Sequence, residues 1–394
     1  MKEQRLRLRR ISKLLIVAWV LISIWGILNV YSTTYMKAIT NALIPKSVIT
    51  TILGFLFCFL LLGILRKKYK RVYRFIVNNY QKLYYFGIFA LIFVYVFGPV
   101  RGGAKSVVHF IVDFQPLELV KITTILFMSI VFGQLSFKIG TFKLKNLTNK
   151  QDLIKFAIFM MIPVFLIFIE PDLGGAIIVF TLIYVMFVLH GTYAMKIIKV
   201  SALLMIPMII AIVIMGHTSS GANGNYQSDR IFSWLHPFEA IQGEGWDINN
   251  SLIGISNGNI LGSGYLKGVQ KTFINAASTD YIFVTICEEW GIFGCLFTIG
   301  IILFIAYSCL QIGNNTKQRW EMLYCYGYAF LLIIQTVVNV CGVTNVIPMT
   351  GVTLPFISNG LNSYLFMSIG LFICIVIARY NRAILKKEEE EWEL

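Results

Sequence analysis

The sequence predicts an all-α integral membrane protein with about ten transmembrane helices, both termini cytoplasmic, and a long outer loop between helices 7 and 8. Three observations carry this. First, 57% of the 394 residues are hydrophobic and only 13% charged, where a soluble protein carries about twice that charged share. Second, apolar runs long enough to cross the roughly 30 Å hydrocarbon core recur along the whole chain. Third, most of the 34 Lys and Arg fall on alternate loops.

The apolar runs lie near 14–32, 48–65, 84–98, 116–135, 156–170, 173–190, 200–217, 292–312, 323–343 and 364–380. The first has a long apolar core and no small-residue cleavage site after it, so it is expected to be a retained anchor rather than a signal peptide. Basic residues cluster at the N-terminus (Lys2 to Lys13), in loops 66–83 and 136–155, and at Lys196, Lys199, Lys317, Arg319 and Arg379 to Lys387. The positive-inside rule makes those segments cytoplasmic. The net charge of +15 is then topology and contact with anionic membrane lipids, and a nucleic-acid partner is not expected. Seven cysteines, mostly within apolar spans and without metal-ligand spacing, read as packing residues.

The whole chain, 1–394, reads as a single polytopic membrane domain. Residues 218–279 form a long extracytoplasmic loop rich in Gly, Ser and Asn, the place where a membrane protein keeps function. Within it Arg230 to Leu235 is an amphipathic stretch expected at the membrane surface. Glycines 254, 258, 262 and 264 punctuate an apolar pattern that suggests a short interfacial or re-entrant helix and a tight turn. Residues 344–363 form a second outer loop, turn-rich through Pro348, Gly351, Pro355 and Gly360. The tail Lys386 to Glu391 is expected to be a solvated end.

Four clusters face outward. Glu118 and Lys121 share one helix face three residues apart, either as a structural ion pair or as ligand contacts. Asp172 follows Glu170-Pro171 between two apolar runs, and a helix N-cap is the preferred reading. Asp280 stands where the polar loop meets an apolar segment, a costly place for a carboxylate, with Glu288-Glu289 following. The run Pro348 to Gly360 offers backbone donors for a phosphate or sugar, or a plain turn. There is no Gly-rich nucleotide loop, no His/Glu metal motif and no nucleophile elbow, and the four histidines are scattered. What remains is a reaction driven by its own activated substrate, or no reaction.

The clusters are Gln115-Pro116-Leu117-Glu118-Leu119-Val120-Lys121, Pro171-Asp172-Leu173-Gly174, Arg230-Ile231, Gly268-Val269-Gln270, Thr279-Asp280-Tyr281-Ile282-Phe283 with Glu288-Glu289-Trp290-Gly291, and Pro348-Met349-Thr350-Gly351 through Leu354-Pro355-Phe356-Ile357-Ser358. In this order they resemble the SEDS family (shape, elongation, division and sporulation), over nearly the whole chain. Departures stand beside the matches. Asn359-Gly360-Leu361-Asn362-Ser363 replaces the family's Tyr-Gly-Gly-Ser-Ser, Asn275, Ala276 and Ser278 replace its Pro-Glu and His, and Leu117 replaces a Ser. The chain resembles a divergent paralogue.

The resemblance implies a polymerase of peptidoglycan glycan strands in the bacterial plasma membrane, serving cell shape, division or sporulation. Its substrate would be lipid II, whose undecaprenyl pyrophosphate is the leaving group. Asp280 matches the family's required aspartate and would be the general base, its pKa expected to be raised near the interface. Arg101, Lys105, Lys121 and Arg230 would offset charge on the pyrophosphate, with Glu118, Asp172, Gln270, Thr350, Pro355 and Ser358 as further substrate contacts. No cofactor or resident metal is implied, with room for a divalent cation at the pyrophosphate. The expected partner is a class B penicillin-binding protein. The alternatives are a lipid-linked sugar flippase and a noncatalytic scaffold for such a transpeptidase.

Overall fold

The structure is a computed structural model that describes residues 2–41, 46–99, 108–109, 113–134, 137–139, 142–144, 147, 149–170, 172–191, 195, 199, 226–239 and 244–392. Its described membrane-length segments are all helices. The long helices are α1 (Lys2–Asn41), α2 (Lys46–Lys67), α3 (Tyr69–Phe97), α4 (Pro116–Gln134), α5 (Lys150–Ile169) and α6 (Leu173–His190). Two short helices follow, α7 (Tyr226–Leu235) and α8 (Glu244–Gly258), and then α9 (Ile282–Asn314), α10 (Arg319–Val343) and α11 (Leu361–Trp392). Two-stranded hairpins join Val108–His109 to Asp113–Phe114 and Phe137–Ile139 to Phe142–Leu144. Among the described residues nine helices are long and apolar enough to span a membrane. The run expected at 200–217 lies outside the described residues, as do Arg101 and Lys105.

Burial sorts the spans. In α4, 89% of the apolar window is buried against 22% in α2, so α4 is the axis of the bundle and α2 presents its leucines and phenylalanines outward, as a lipid-facing helix does. Small residues permit close approach: a Cβ on Gly370 would lie 2.5 Å from the Tyr328 ring, so the ring of α10 packs directly on the backbone of α11.

One expectation is corrected and a second refined. The span expected at 292–312 starts ten residues earlier, at Ile282, and runs to Asn314 with a break at Gly291 (φ 60, ψ −154). A Cβ there would come within 2.5 Å of the Gly262 nitrogen. The helix accommodates Glu288 and Glu289 because both are satisfied. Glu288 accepts from the Val269 N–H at 2.9 Å and the Gln270 N–H at 3.1 Å, while Glu289 accepts from the Ser32 hydroxyl at 2.6 Å and pairs with Lys271. The tail is mostly solvent-exposed, as expected, but it is tied down. It continues α11, with Glu388 paired to Lys317 and Glu389 to Arg5 at 3.2 Å.

Candidate active site

The N-terminal end of α4 carries a charged pair. Lys121 Nζ lies 2.7 Å from Glu118 Oε1, and both residues are buried. Lys121 also donates to Gln335 Oε1 on α10 at 3.0 Å, and Gln335 donates onward to the Thr353 carbonyl at 3.0 Å. A cation and a carboxylate that leave water together need such extra partners, because desolvation otherwise exceeds their attraction. Glu118 Oε2 remains buried with no hydrogen-bond partner among the described residues.

Asp172 caps α6, accepting from the Gly175 N–H at 2.8 Å, as the preferred reading expects. Burial pushes its carboxyl up, against the Gly175 bond and the positive charges of Lys121 and Arg230, which pull it down. Those charges act at Asp172 because α4, α6 and α7 converge here. Beside it Glu170 is buried and Oε1 has no hydrogen-bond partner among the described residues. Burial first, and the Asp172 charge second, raise the Glu170 carboxyl to about 8.

Asp280 is partly exposed, two residues before α9. The loop 344–360 passes beside it with Gly351 in the left-handed region (φ 68). A side chain at Gly351 would begin 3.6 Å from Asp280 Oδ2 and 3.8 Å from Arg230 Nη2. The carboxylate and the guanidinium thus face the same small space, kept open by a glycine. Arg230 is held in place through α7, where Trp234 donates to the Asn345 carbonyl at 3.1 Å and Asn345 donates back to the Trp234 carbonyl at 3.2 Å.

The two loops are tied together below this space. Ser358 Oγ donates to the Thr279 carbonyl at 2.6 Å and accepts from the Leu354 N–H at 2.8 Å. Asn359 N–H donates to the Ser278 carbonyl at 2.8 Å. Asn339 on α10 donates to both the Asp280 carbonyl (2.8 Å) and the Val352 carbonyl (2.7 Å). Phe356 adopts φ 64 within the same loop, an uncommon conformation for a bulky residue and one that clusters at functional sites.

Among the residues expected at the site, Glu118, Lys121, Asp172, Arg230 and Asp280 come together at one end of the bundle. Thr350 adjoins them, its carbonyl and Cβ packed against Gly174 at the start of α6. Ser358 and Pro355 are buried, and Ser358 spends its hydroxyl on the loop itself, so both support the site from beneath. Gln270 belongs to a different neighbourhood, against Gly254 and the Glu288 carboxylate. Gln335 and Asn339 were not anticipated. Their signal was two amides four residues apart in an apolar helix, one face of α10.

The profile of the FtsW/RodA/SpoVE family, described as cell cycle proteins, matches residues 12–383. The chain belongs to this family. A Bacillus subtilis relative named probable peptidoglycan glycosyltransferase FtsW is 29% identical over 386 residues, covering 95% of this chain and 93% of the relative. The fold is shared with a chain solved in a study of how a peptidoglycan synthase complex coordinates polymerization and crosslinking (TM-score 0.71, 23% identity, 93% of this chain and 97% of that one). It is shared also with the rod shape determining protein RodA of Thermus thermophilus (TM-score 0.63, 22% identity, 93% and 96%). As a FtsW/RodA/SpoVE protein the chain is a multi-pass membrane protein, as its apolar helices require.

Proposed function

We propose that the chain polymerises peptidoglycan glycan strands from lipid II at the outer face of the bacterial plasma membrane. The observation that carries this reading is the convergence of the Asp280 carboxylate and the Arg230 guanidinium over Gly351, beside the buried Lys121–Glu118 pair. In this reading Asp280 removes the proton of the acceptor's 4-hydroxyl as that oxygen attacks the donor's anomeric carbon. The bond to the undecaprenyl pyrophosphate breaks and configuration inverts. The leaving group carries its own driving force, in keeping with a sequence that has no nucleotide motif.

Arg230 and Lys121 supply the positive charge that a departing pyrophosphate needs. Among the described residues no three His, Cys, Asp or Glu gather as a metal site. In this reading a divalent cation, where one takes part, rides on the pyrophosphate whose charge it offsets. The structural neighbour solved in a study of a polymerizing and crosslinking synthase complex supports a class B penicillin-binding protein as partner, to which the glycan product is delivered.

The test is polymerisation of labelled lipid II by the purified protein, alone and with its organism's class B penicillin-binding proteins. Product that disappears in Asp280→Asn, with membrane insertion intact, supports the assignment. An Asp280→Asn variant that polymerises at the parental rate overturns the base; no product from a folded, lipid-binding parent under any pairing overturns the enzyme reading.

A further inference from the structure

The opposite, cytoplasmic end of the bundle holds a second constellation. A cavity of about 250 Å³ opens between the first turns of α1, the start of α3 and the inner end of α11. Its cations are Arg5, Arg9, Arg379, Arg382 and Lys386. Arg379 is fixed by donating to the Arg66 carbonyl at 2.7 Å and lies 5.7 Å over the Tyr69 ring. The carboxylates in reach sit at one edge, Glu389 on Arg5 at 3.2 Å and Glu390 on Lys386 at 3.1 Å. Arg9 and Arg382 meet no carboxylate among the described residues. Arg382 Nε is buried without an acceptor there, although the charges of Arg379, Arg9, Arg5 and Arg66 all bear on it.

Arg5 and Lys386 are neutralised at the edge by Glu389 and Glu390, but Arg9, Arg379 and Arg382 repel each other unless a further anion joins them. A buried guanidinium N–H without an acceptor also forfeits a charge-assisted hydrogen bond. We propose that this cavity binds the phosphate of an anionic phospholipid headgroup from the inner leaflet. The lipid source, rather than a soluble phosphate, follows from what lies above the cavity. Leu6 lines it and is half exposed. Farther along α1, Leu14, Val17, Leu21, Ile24 and Leu28 are all at least 41% exposed, spaced by three or four residues on one face. That stripe is a track for an acyl chain rising from a headgroup held at Arg9 and Arg382. The turn between α2 and α3 is a single residue, Lys68, which places the recess at the membrane interface where basic pockets between helices meet lipid phosphates.

The experiment is retention of phosphatidylglycerol against phosphatidylcholine by the full-length protein extracted from vesicles containing both, read by native mass spectrometry. The parent is expected to keep phosphatidylglycerol selectively. Arg9→Gln/Arg382→Gln is expected to lose that selectivity roughly tenfold or more. A control that removes two exposed cations elsewhere, Lys82→Gln/Lys150→Gln, is expected to keep it. Equal retention of the two lipids by the parent overturns the proposal without recourse to any variant. So does unchanged selectivity in the arginine double variant, or displacement of phosphatidylglycerol by inorganic phosphate at millimolar concentration, which would assign the cavity to a soluble anion.

Discussion

The side-chain nitrogen of Asn339 donates to the main-chain carbonyl of Asp280 at 2.8 Å and, at the same time, to the Val352 carbonyl at 2.7 Å. One amide on a membrane helix therefore sets the height of both loops that meet over Gly351. Replacing it by alanine removes two bonds worth about 1 kcal/mol each and leaves two carbonyls unpaired. Asn339→Ala is expected to lower stability by about 2–3 kcal/mol, seen as a lower melting temperature in detergent. Glycan synthesis at a temperature where the variant stays folded is expected to fall as well, because Asp280 is no longer held.

The Lys121–Glu118 pair gives a second test. Removing one partner of a buried pair strands a charge, at about 3–5 kcal/mol, while an apolar replacement of both costs far less. Lys121→Met and Glu118→Leu should each destabilise strongly, and the double variant should melt above either single one. Lys121→Met and the double variant should be inactive if Lys121 also meets the pyrophosphate. A fully active, stable double variant would reduce the pair to a structural role.

Glu170 predicts a pH dependence. Its carboxyl titrates at about 8 in the folded protein against 4.5 in the unfolded chain, so between those values the folded state holds a proton that the unfolded state has released. The corresponding stability is fully present below about pH 4.5 and is lost as pH rises through 8. Glu170→Gln should flatten this slope. Thermal melts of parent and variant across the window check it, and parallel curves would refute the buried, protonated carboxyl.

Gly351 combines a left-handed backbone with proximity to the site. Gly351→Ala should cost about 1 kcal/mol in strain and add a methyl group to the space shared by Asp280 and Arg230. Polymerisation is expected to fall by more than the stability change explains, with Gly360→Ala as a control. Glycine 360 lies in the same loop with ordinary contacts around it.

The outline of this site was readable before the fold was known because its acids are anomalous where they stand. A carboxylate at Asp172 or Asp280, beside an apolar run, has to be explained. Gln335 and Asn339 were harder to see, since a single amide in a helix as apolar as α10 is ordinary until its acceptors, far away in sequence, are known. The start of α9 was misplaced for a related reason. Glu288 and Glu289 interrupt the apolar pattern, and only the folded chain shows them matched by Lys271, Ser32 and the N–H groups of Val269 and Gln270. The ties that turn polar residues into tolerable membrane residues are long-range, and no local pattern records them.

The struts beneath Asp280 run largely through main-chain atoms: the Asn359 N–H to the Ser278 carbonyl, the Thr279 carbonyl to Ser358, and the Asp280 carbonyl to Asn339. A strut made of backbone is indifferent to the side chain mounted on it. The Ser278–Asn359 strut therefore tolerates exchange of its side chains while the carboxylate stays in register, apart from the Asn359 Oδ1 that accepts from the Thr51 hydroxyl at 3.2 Å. Exchanging the loop residues of a close paralogue into it at those two sites amounts to swapping cladding on an unchanged frame.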